Sequence, residues 1–296
     1  MTAKSTTEFS QRRSLQPLAG LDRRGFVKTA LTAGFAAAAG PLNAEAIKTD
    51  TAGLDAGEVS IPVTDGQLPA YRAMPAGGTN LPTLLVVQEV FGVHEHIKDL
   101  CRRYAKLGYM AIAPELFARL GDATAYTDIQ ALLRDIVSKA PDAQVMSDLD
   151  ATATWARQHG GHDRKLAITG FCWGGRITWL YAAHSEAVRA GVAWYGRVVG
   201  QPSELQPRHP IDVVDSLRAP VLGLYAGNDS GIPLESVEQM RVALRQGSAA
   251  ARRSDIVVYP EAQHGFNADY RASYNPIDSR LATERMLAFL KARGVA

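Results

Sequence analysis

The strongest constraint on how this chain folds is a recurrence of short, largely apolar runs separated by stretches of helical spacing. Thr83–Gln88 (TLLVVQ), Tyr109–Ala113, Leu166–Thr169, Ala190–Tyr195, Val221–Ala226 and Asp255–Tyr259 are each four to six residues long. Runs this short, without polar alternation, mark strands buried on both faces. Between them apolar residues recur three and four apart. Ile97–Leu107 carries Ile97, Leu100, Cys101, Tyr104 and Leu107 on one stripe, and Thr127–Lys139, Ala143–His159, Arg176–His184, Leu234–Gln246 and Ser279–Ala292 also read as helices. Strands alternating with helices join through βαβ crossovers, which predicts an α/β fold with a mostly parallel central sheet and helices on both faces. Ahead of them, Thr64-Asp65-Gly66-Gln67 lies between Glu58–Val63 and Leu68–Met74. An Asp-Gly turn between strand-like runs predicts an N-terminal β-hairpin.

Charge separates the first 46 residues from the rest. Of 32 Lys+Arg and 30 Asp+Glu, residues 1–46 hold six basic and three acidic, leaving 26 basic and 27 acidic in residues 47–296, a formal charge of −1. The segment runs Arg23-Arg24-Gly25-Phe26-Val27-Lys28, an Ala/Leu/Gly run from Thr29 to Gly40, Pro41, then Ala44-Glu45-Ala46. A basic region, a short apolar region and a small-x-small site form an export signal, and the arginine pair resembles the twin-arginine type. The apolar run is too short to span ~30 Å of hydrocarbon. The expectation is therefore periplasmic export, cleavage near Ala46 and no stable membrane anchor afterwards. Residues 47–296 are expected to form a single domain, without repeat or linker. Gly196–Pro210, with Pro202, Pro207 and Pro210, reads as a surface excursion. The near-neutral domain points away from nucleic acid, and two cysteines exclude a disulfide scaffold or a four-cysteine zinc site.

The chemistry concentrates at Gly170-Phe171-Cys172-Trp173-Gly174-Gly175, between a predicted strand and a predicted helix. This is the G-x-S-x-G nucleophile-elbow pattern with cysteine in place of serine. A nucleophile on so tight a turn needs glycines on either side to leave room for the backbone. The turn also sets the sulfur at a helix N-terminus, where the dipole favours a thiolate, and aims the Trp173 amide at a developing oxyanion. The pattern is short, and a buried cysteine is more often inert packing; the strand before it and the helix after it favour the elbow. Asp229 follows Val221–Ala226 and His264 follows Asp255–Tyr259, both beyond the carboxyl ends of strands, where an open α/β sheet builds its site. Singly, Asp229 reads as a turn or N-cap residue and His264 as a surface histidine. In the order nucleophile, acid, base they form an acyl-transfer constellation.

With these residues in view, the chain resembles the dienelactone hydrolase family, the carboxymethylenebutenolidases, within the α/β-hydrolase fold, from about Glu58 to Leu290. The resemblance is carried by Gln88-Glu89-Val90-Phe91-Gly92, the Gly170–Gly175 elbow, Asp229 with Pro233, His264-Gly265-Phe266, and Glu284-Arg285. It implies hydrolysis of small lactones or esters, with Cys172, Asp229 and His264 as the triad. It further implies Glu89 as partner of the resting thiol, and the amides of Val90 and Trp173 as the oxyanion hole. On its own residues Glu89 reads equally as an acid, a base or an ion-pair partner of a neighbouring arginine. The family holds its substrate carboxylate with arginines, one of them four residues after the histidine, where this chain has Ala268. Arg271 is the expected substitute, Arg119 and Arg134 are further candidates, and Tyr195 is expected to line the pocket; each of these also reads as surface or core. A general carboxylesterase with the same triad and a non-catalytic binding protein of this fold are the alternatives. No cofactor or metal is expected: His94-Glu95-His96 has the spacing His-x-His, but it opens a loop or helix, where i and i+2 diverge. Cys101 is expected in the core, the partner is a small-molecule substrate, and the chain is expected to be a monomer.

Overall fold

The structure, a computed structural model, describes residues 46–296; all but the last residue of the expected export segment lies outside the described residues. Eight strands form one sheet: β1 (Leu54–Val63), β2 (Gly66–Pro75), β3 (Leu81–Val87), β4 (Met110–Pro114), β5 (Gly161–Phe171), β6 (Val188–Trp194), β7 (Val221–Ala226) and β8 (Asp255–Tyr259). Their order is β1-β2-β4-β3-β5-β6-β7-β8. The hairpin pairs antiparallel, β2 joins β4 antiparallel, and every pairing from β4 to β8 is parallel. The expected hairpin and mostly parallel sheet are thus both present.

Among the described residues six α-helices accompany the sheet: α1 (Glu95–Lys106), α2 (Ile129–Asp135), α3 (Asp142–Gln158), α4 (Trp173–His184), α5 (Leu234–Gln246) and α6 (Pro276–Ala292). Right-handed crossovers run one way from β3 to β4 and the other way from β5 to β8, so α1 and α4 cover opposite faces. On one face the Tyr104 hydroxyl meets the Met286 sulfur at 3.7 Å, joining α1 to α6. On the other, the Tyr181 hydroxyl of α4 donates to Asp150 of α3 at 2.9 Å. The centre is apolar, with Leu84, Leu85, Val86 and Val87 of β3 fully buried. Chain direction along the sheet reverses at β3, and the crevice beyond the carboxyl ends of β3 and β5 is where such folds bind ligands.

Three local expectations change. Leu107 is the C-cap of α1 and more than half exposed, because the helical stripe ends one residue before it. Thr127–Lys139 is not one helix. It holds α2, capped by Asp128 and ending at Ile136 (φ −115°, ψ −65°), then a 3₁₀ turn over Val137–Lys139 that stops at Ala140, where Pro141 disfavours helical backbone. The Gly196–Pro210 excursion leads into a further 3₁₀ turn, Pro210–Ser216. Arg176, buried in α4, holds that segment, pairing with both oxygens of Asp142 at 2.7 Å and donating to the Arg208 carbonyl at 2.5 Å. Removing one partner of a buried pair strands the other charge. Asp142→Ala is accordingly expected to lower the unfolding free energy by about 3–5 kcal/mol, read from urea unfolding against the native chain.

Candidate active site

β5 ends at Phe171 and α4 begins at Trp173, leaving Cys172 alone in the turn with φ 55° and ψ −113°. A non-glycine residue in that region persists only where its surroundings over-determine it. A Cβ on Gly170 would fall 2.1 Å from the Gly174 carbonyl oxygen, and one on Gly174 2.5 Å from the carbonyl oxygens of Val87 and Gln88. One on Gly175 would fall 2.5 Å from the Trp194 oxygen. The Cys172 amide donates to that same Trp194 oxygen at 3.0 Å. The elbow is therefore pressed directly against the ends of β3 and β6. That contact brings the start of α4, with Trp173, beside the turn holding Glu89 and Val90. The turn is fixed from the other side by Glu115, whose carboxylate accepts the Val93 amide at 2.7 Å and would sit 3.0 Å from a Cβ on Gly92.

Asp229 and His264 come from the loops after β7 and β8. Asp229 Oδ1 accepts the amides of Gly231 at 2.8 Å and Ile232 at 3.1 Å, and its Oδ2 lies 2.7 Å from His264 Nδ1. The loops are stitched together by Gly227 N–H to Tyr259 O at 2.8 Å and Asn228 N–H to Ala262 O at 2.9 Å. Nδ1 is engaged by Asp229, and the charge of Cys172 bears on the same ring. Burial works against the imidazolium, yet the Cys172 sulfur and the Asp229 carboxylate outweigh it and push the His264 pKa up to about 10. A raised histidine stabilises the folded chain fully below its unfolded value near 6.5, and the contribution is lost as pH rises through about 10.

Glu89 is 1% exposed. Its Oε2 accepts the Tyr270 hydroxyl at 2.5 Å and lies 3.7 Å from His94 Nε2, while its Oε1, also buried, makes no hydrogen bond among the described residues. Burial would raise its pKa, but the neighbouring His94 imidazole and the charge of Arg271 hold it near 2. His94 and His96 do not diverge as their spacing suggests. His94 is the N-cap of α1, with extended backbone (φ −80°, ψ 179°), and its ring stacks on His96 at 6.1 Å and 19°. Tyr195, fully buried with φ 37°, sets its ring edge-on to His264 at 5.1 Å, and its hydroxyl makes no hydrogen bond.

The arginine candidates separate clearly. Arg271 is partly buried, with Glu89, Tyr270, Tyr195 and Cys172 around it. Arg119 is held on one side by Asp65 at 2.6 Å and on the other by Asp148 at 2.8 Å. Arg134 is exposed and pairs with its neighbour Asp135 at 2.8 Å. Ala268 is fully buried. Cys101 is a free, fully buried thiol whose pKa burial pushes well up. Tyr270 and Glu115 carry no local signature: their partners lie 181 and 22 positions away in sequence. A thiol, an imidazole and an amide-stabilised carboxylate in series are suited to moving a proton off sulfur and back.

Residues 68–294 match the dienelactone hydrolase family. A protein of Methylorubrum extorquens, provisionally named carboxymethylenebutenolidase, is 57% identical over 286 residues, 96% of this chain and 97% of its own length. One of Escherichia coli with the same provisional name is 51% identical over 267 residues, 90% of this chain and 97% of its own. A crystal structure provisionally titled dienelactone hydrolase, from Klebsiella pneumoniae, superposes with a TM-score of 0.77 at 57% identity, covering 80% of this chain and 98% of that one. An acylaminoacyl peptidase of Pyrococcus horikoshii, 16% identical with a TM-score of 0.63 over 82% of this chain and 42% of its own, shares the fold alone.

The sulfur's contribution to His264 can be isolated. By NMR the imidazole should titrate near 10 in the native chain, and Cys172→Ala should lower that midpoint. An unchanged midpoint would separate His264 from the thiol.

Proposed function

The chain belongs to the dienelactone hydrolase family, and on that premise we propose that it cleaves small lactones or esters by nucleophilic catalysis through Cys172, Asp229 and His264. The observation that carries this reading is the Cys172 elbow, with the hydrogen-bonded His264–Asp229 pair beside it. The sulfur attacks the carbonyl carbon and the carbonyl electrons move onto oxygen, held by the amides of Val90 and Trp173. One such donor is typically worth ~2.7–4 kcal/mol. When the carbonyl reforms, the C–O bond of the ester or ring breaks and His264 gives a proton to the departing oxygen, leaving a thioester. Water then attacks with His264 as base, Asp229 holds the ring, and the thiol leaves. The site's own electrostatics support this order. The sulfur is one of the groups that raise the His264 pKa; acylation removes that influence, so the imidazole becomes a better base when water has to be activated.

Glu89 is the partner of the resting thiol in this reading, and Arg271 meets a substrate carboxylate with Tyr195 beside it. A broader carboxylesterase activity has an observation in its favour. Ala268 offers no charge, and Arg119 is already committed to Asp65 and Asp148, so of the three candidate arginines Arg271 is the one placed beside Cys172. Assay of p-nitrophenyl acetate and dienelactone in parallel tests both readings. Cys172→Ala should abolish turnover of both substrates, and Asp229→Asn should lower kcat on the order of 10⁴-fold by fixing the wrong imidazole tautomer. Undiminished turnover in Cys172→Ala would remove the mechanism, and native activity confined to the simple ester would select the carboxylesterase.

We propose further that residues 1–46 direct twin-arginine export to the periplasm and are cleaved near Ala46, the domain acting as a monomer. Among the described residues no helix is long and apolar enough to cross a membrane. Mass spectrometry of the periplasmic protein should find a chain beginning near residue 47; one still beginning at residue 1 or 2 contradicts this.

A further inference from the structure

Around Glu89 lies an array of buried polar side chains that the mechanism above does not use. Tyr270 sets its ring edge-on to His94 at 5.1 Å and 77°, and tilted against His96 at 5.1 Å and 58°. His96 Nδ1 lies 3.3 Å from Asp269 Oδ1. The other oxygen of Asp269 pairs with Arg103 of α1, whose Nε donates to Asp99 at 2.6 Å. Asp99 in turn accepts the Thr49 amide at 2.6 Å. Three rings and a chain of ion pairs thus run from the crevice along α1, and they latch the loop carrying His264 to the helix that follows Glu89.

A buried carboxylate remains ionised only if donors and positive charge replace the water it has lost. The groups facing Glu89 are His94 and His96 at the start of α1, Tyr270 and Arg271 from the loop after β8, and Tyr195 after β6. Of these, Tyr270 and His94 converge on a single oxygen, Oε2, while Oε1 has no hydrogen bond among the described residues. We propose that Tyr270 and His94 are positioning residues for Glu89: they fix the carboxylate through Oε2 and reserve Oε1 for the thiol and for the substrate that displaces it. His96 and Asp269 keep both rings in register, so the orientation of Glu89 is coupled to that of the loop carrying His264. The inference rests on the reading of Glu89 as the thiol's partner.

The test is the pH dependence of Cys172 alkylation by iodoacetamide in the full chain, followed on the peptide containing Cys172 so that buried Cys101 does not contribute. Glu89→Gln should remove the acidic limb of the profile. Tyr270→Phe keeps the ring against both histidines but deletes the donor, and should move that limb up by about one pH unit, the expected loss of one hydrogen bond to a charged group. In the Glu89→Gln background, Tyr270→Phe should leave the profile where the first change put it. His94→Leu should shift the limb in the same direction and His94→Gln, which keeps an N–H donor, should restore it; the Tyr270 and His94 arms each decide alone. If Glu89→Gln removes the limb while Tyr270→Phe or His94→Leu leaves it in place, the positioning role is wrong and Glu89 stands. If Glu89→Gln leaves the profile unchanged, the reading of Glu89 fails and this inference falls with it.

Discussion

The backbone at Cys172 sets the terms for everything around it. A cysteine at φ 55° and ψ −113° carries strain of about 1–3 kcal/mol, and three close contacts maintain it. Gly170, Gly174 and Gly175 let α4 start against the carbonyls of Val87, Gln88 and Trp194 with no room for a methyl group. Those carbonyls lie at the ends of β3 and β6, the neighbours of β5 in the sheet. The elbow therefore exists because the strand order puts β5 between them, and the strand order requires an elbow that narrow. One set of contacts fixes the sulfur's direction, seats it at a helix N-terminus and draws the Glu89–Val90 turn alongside.

Two carboxylates then divide the electrostatic work. Asp229 is satisfied by two amides and the His264 ring, so it has one partner to orient and no spare oxygen. Glu89 is held by a hydroxyl and an imidazole on one oxygen only, an arrangement that leaves it a partner to gain or lose. The sulfur and Asp229 together favour the charged form of His264, and in the proposed mechanism acylation removes the sulfur's share of that support. In that mechanism the same ring serves first as acid and later as base.

Much of this was legible in the sequence, for physical reasons. Short apolar runs marked β3 to β8, because strands buried on both faces cannot alternate. The glycines around Cys172 marked the elbow, because nothing larger fits there. Asp229 and His264 were found because the chain must place them after successive strands. What escaped depended on contacts that local pattern does not encode. Helical geometry said His94 and His96 would diverge, but the extended N-cap backbone of His94 turns its ring back onto its neighbour. Tyr270 meets a residue 181 positions away. Arg119, read as a surface or substrate-binding arginine, is committed to Asp65 in the hairpin turn and Asp148 in α3. The substrate's own contacts, set by a few long side chains across several loops, are the least legible part of the site.

The claim on which the rest depends is that Cys172 takes the acyl group. Acid quench within the first turnover of a p-nitrophenyl ester, followed by peptide mass spectrometry, examines it directly. The account predicts a p-nitrophenol burst matched by an acyl group on the peptide containing Cys172, decaying as the free acid appears. Release of p-nitrophenol through that first turnover with Cys172 unmodified, or with the acyl group on another residue, would contradict it.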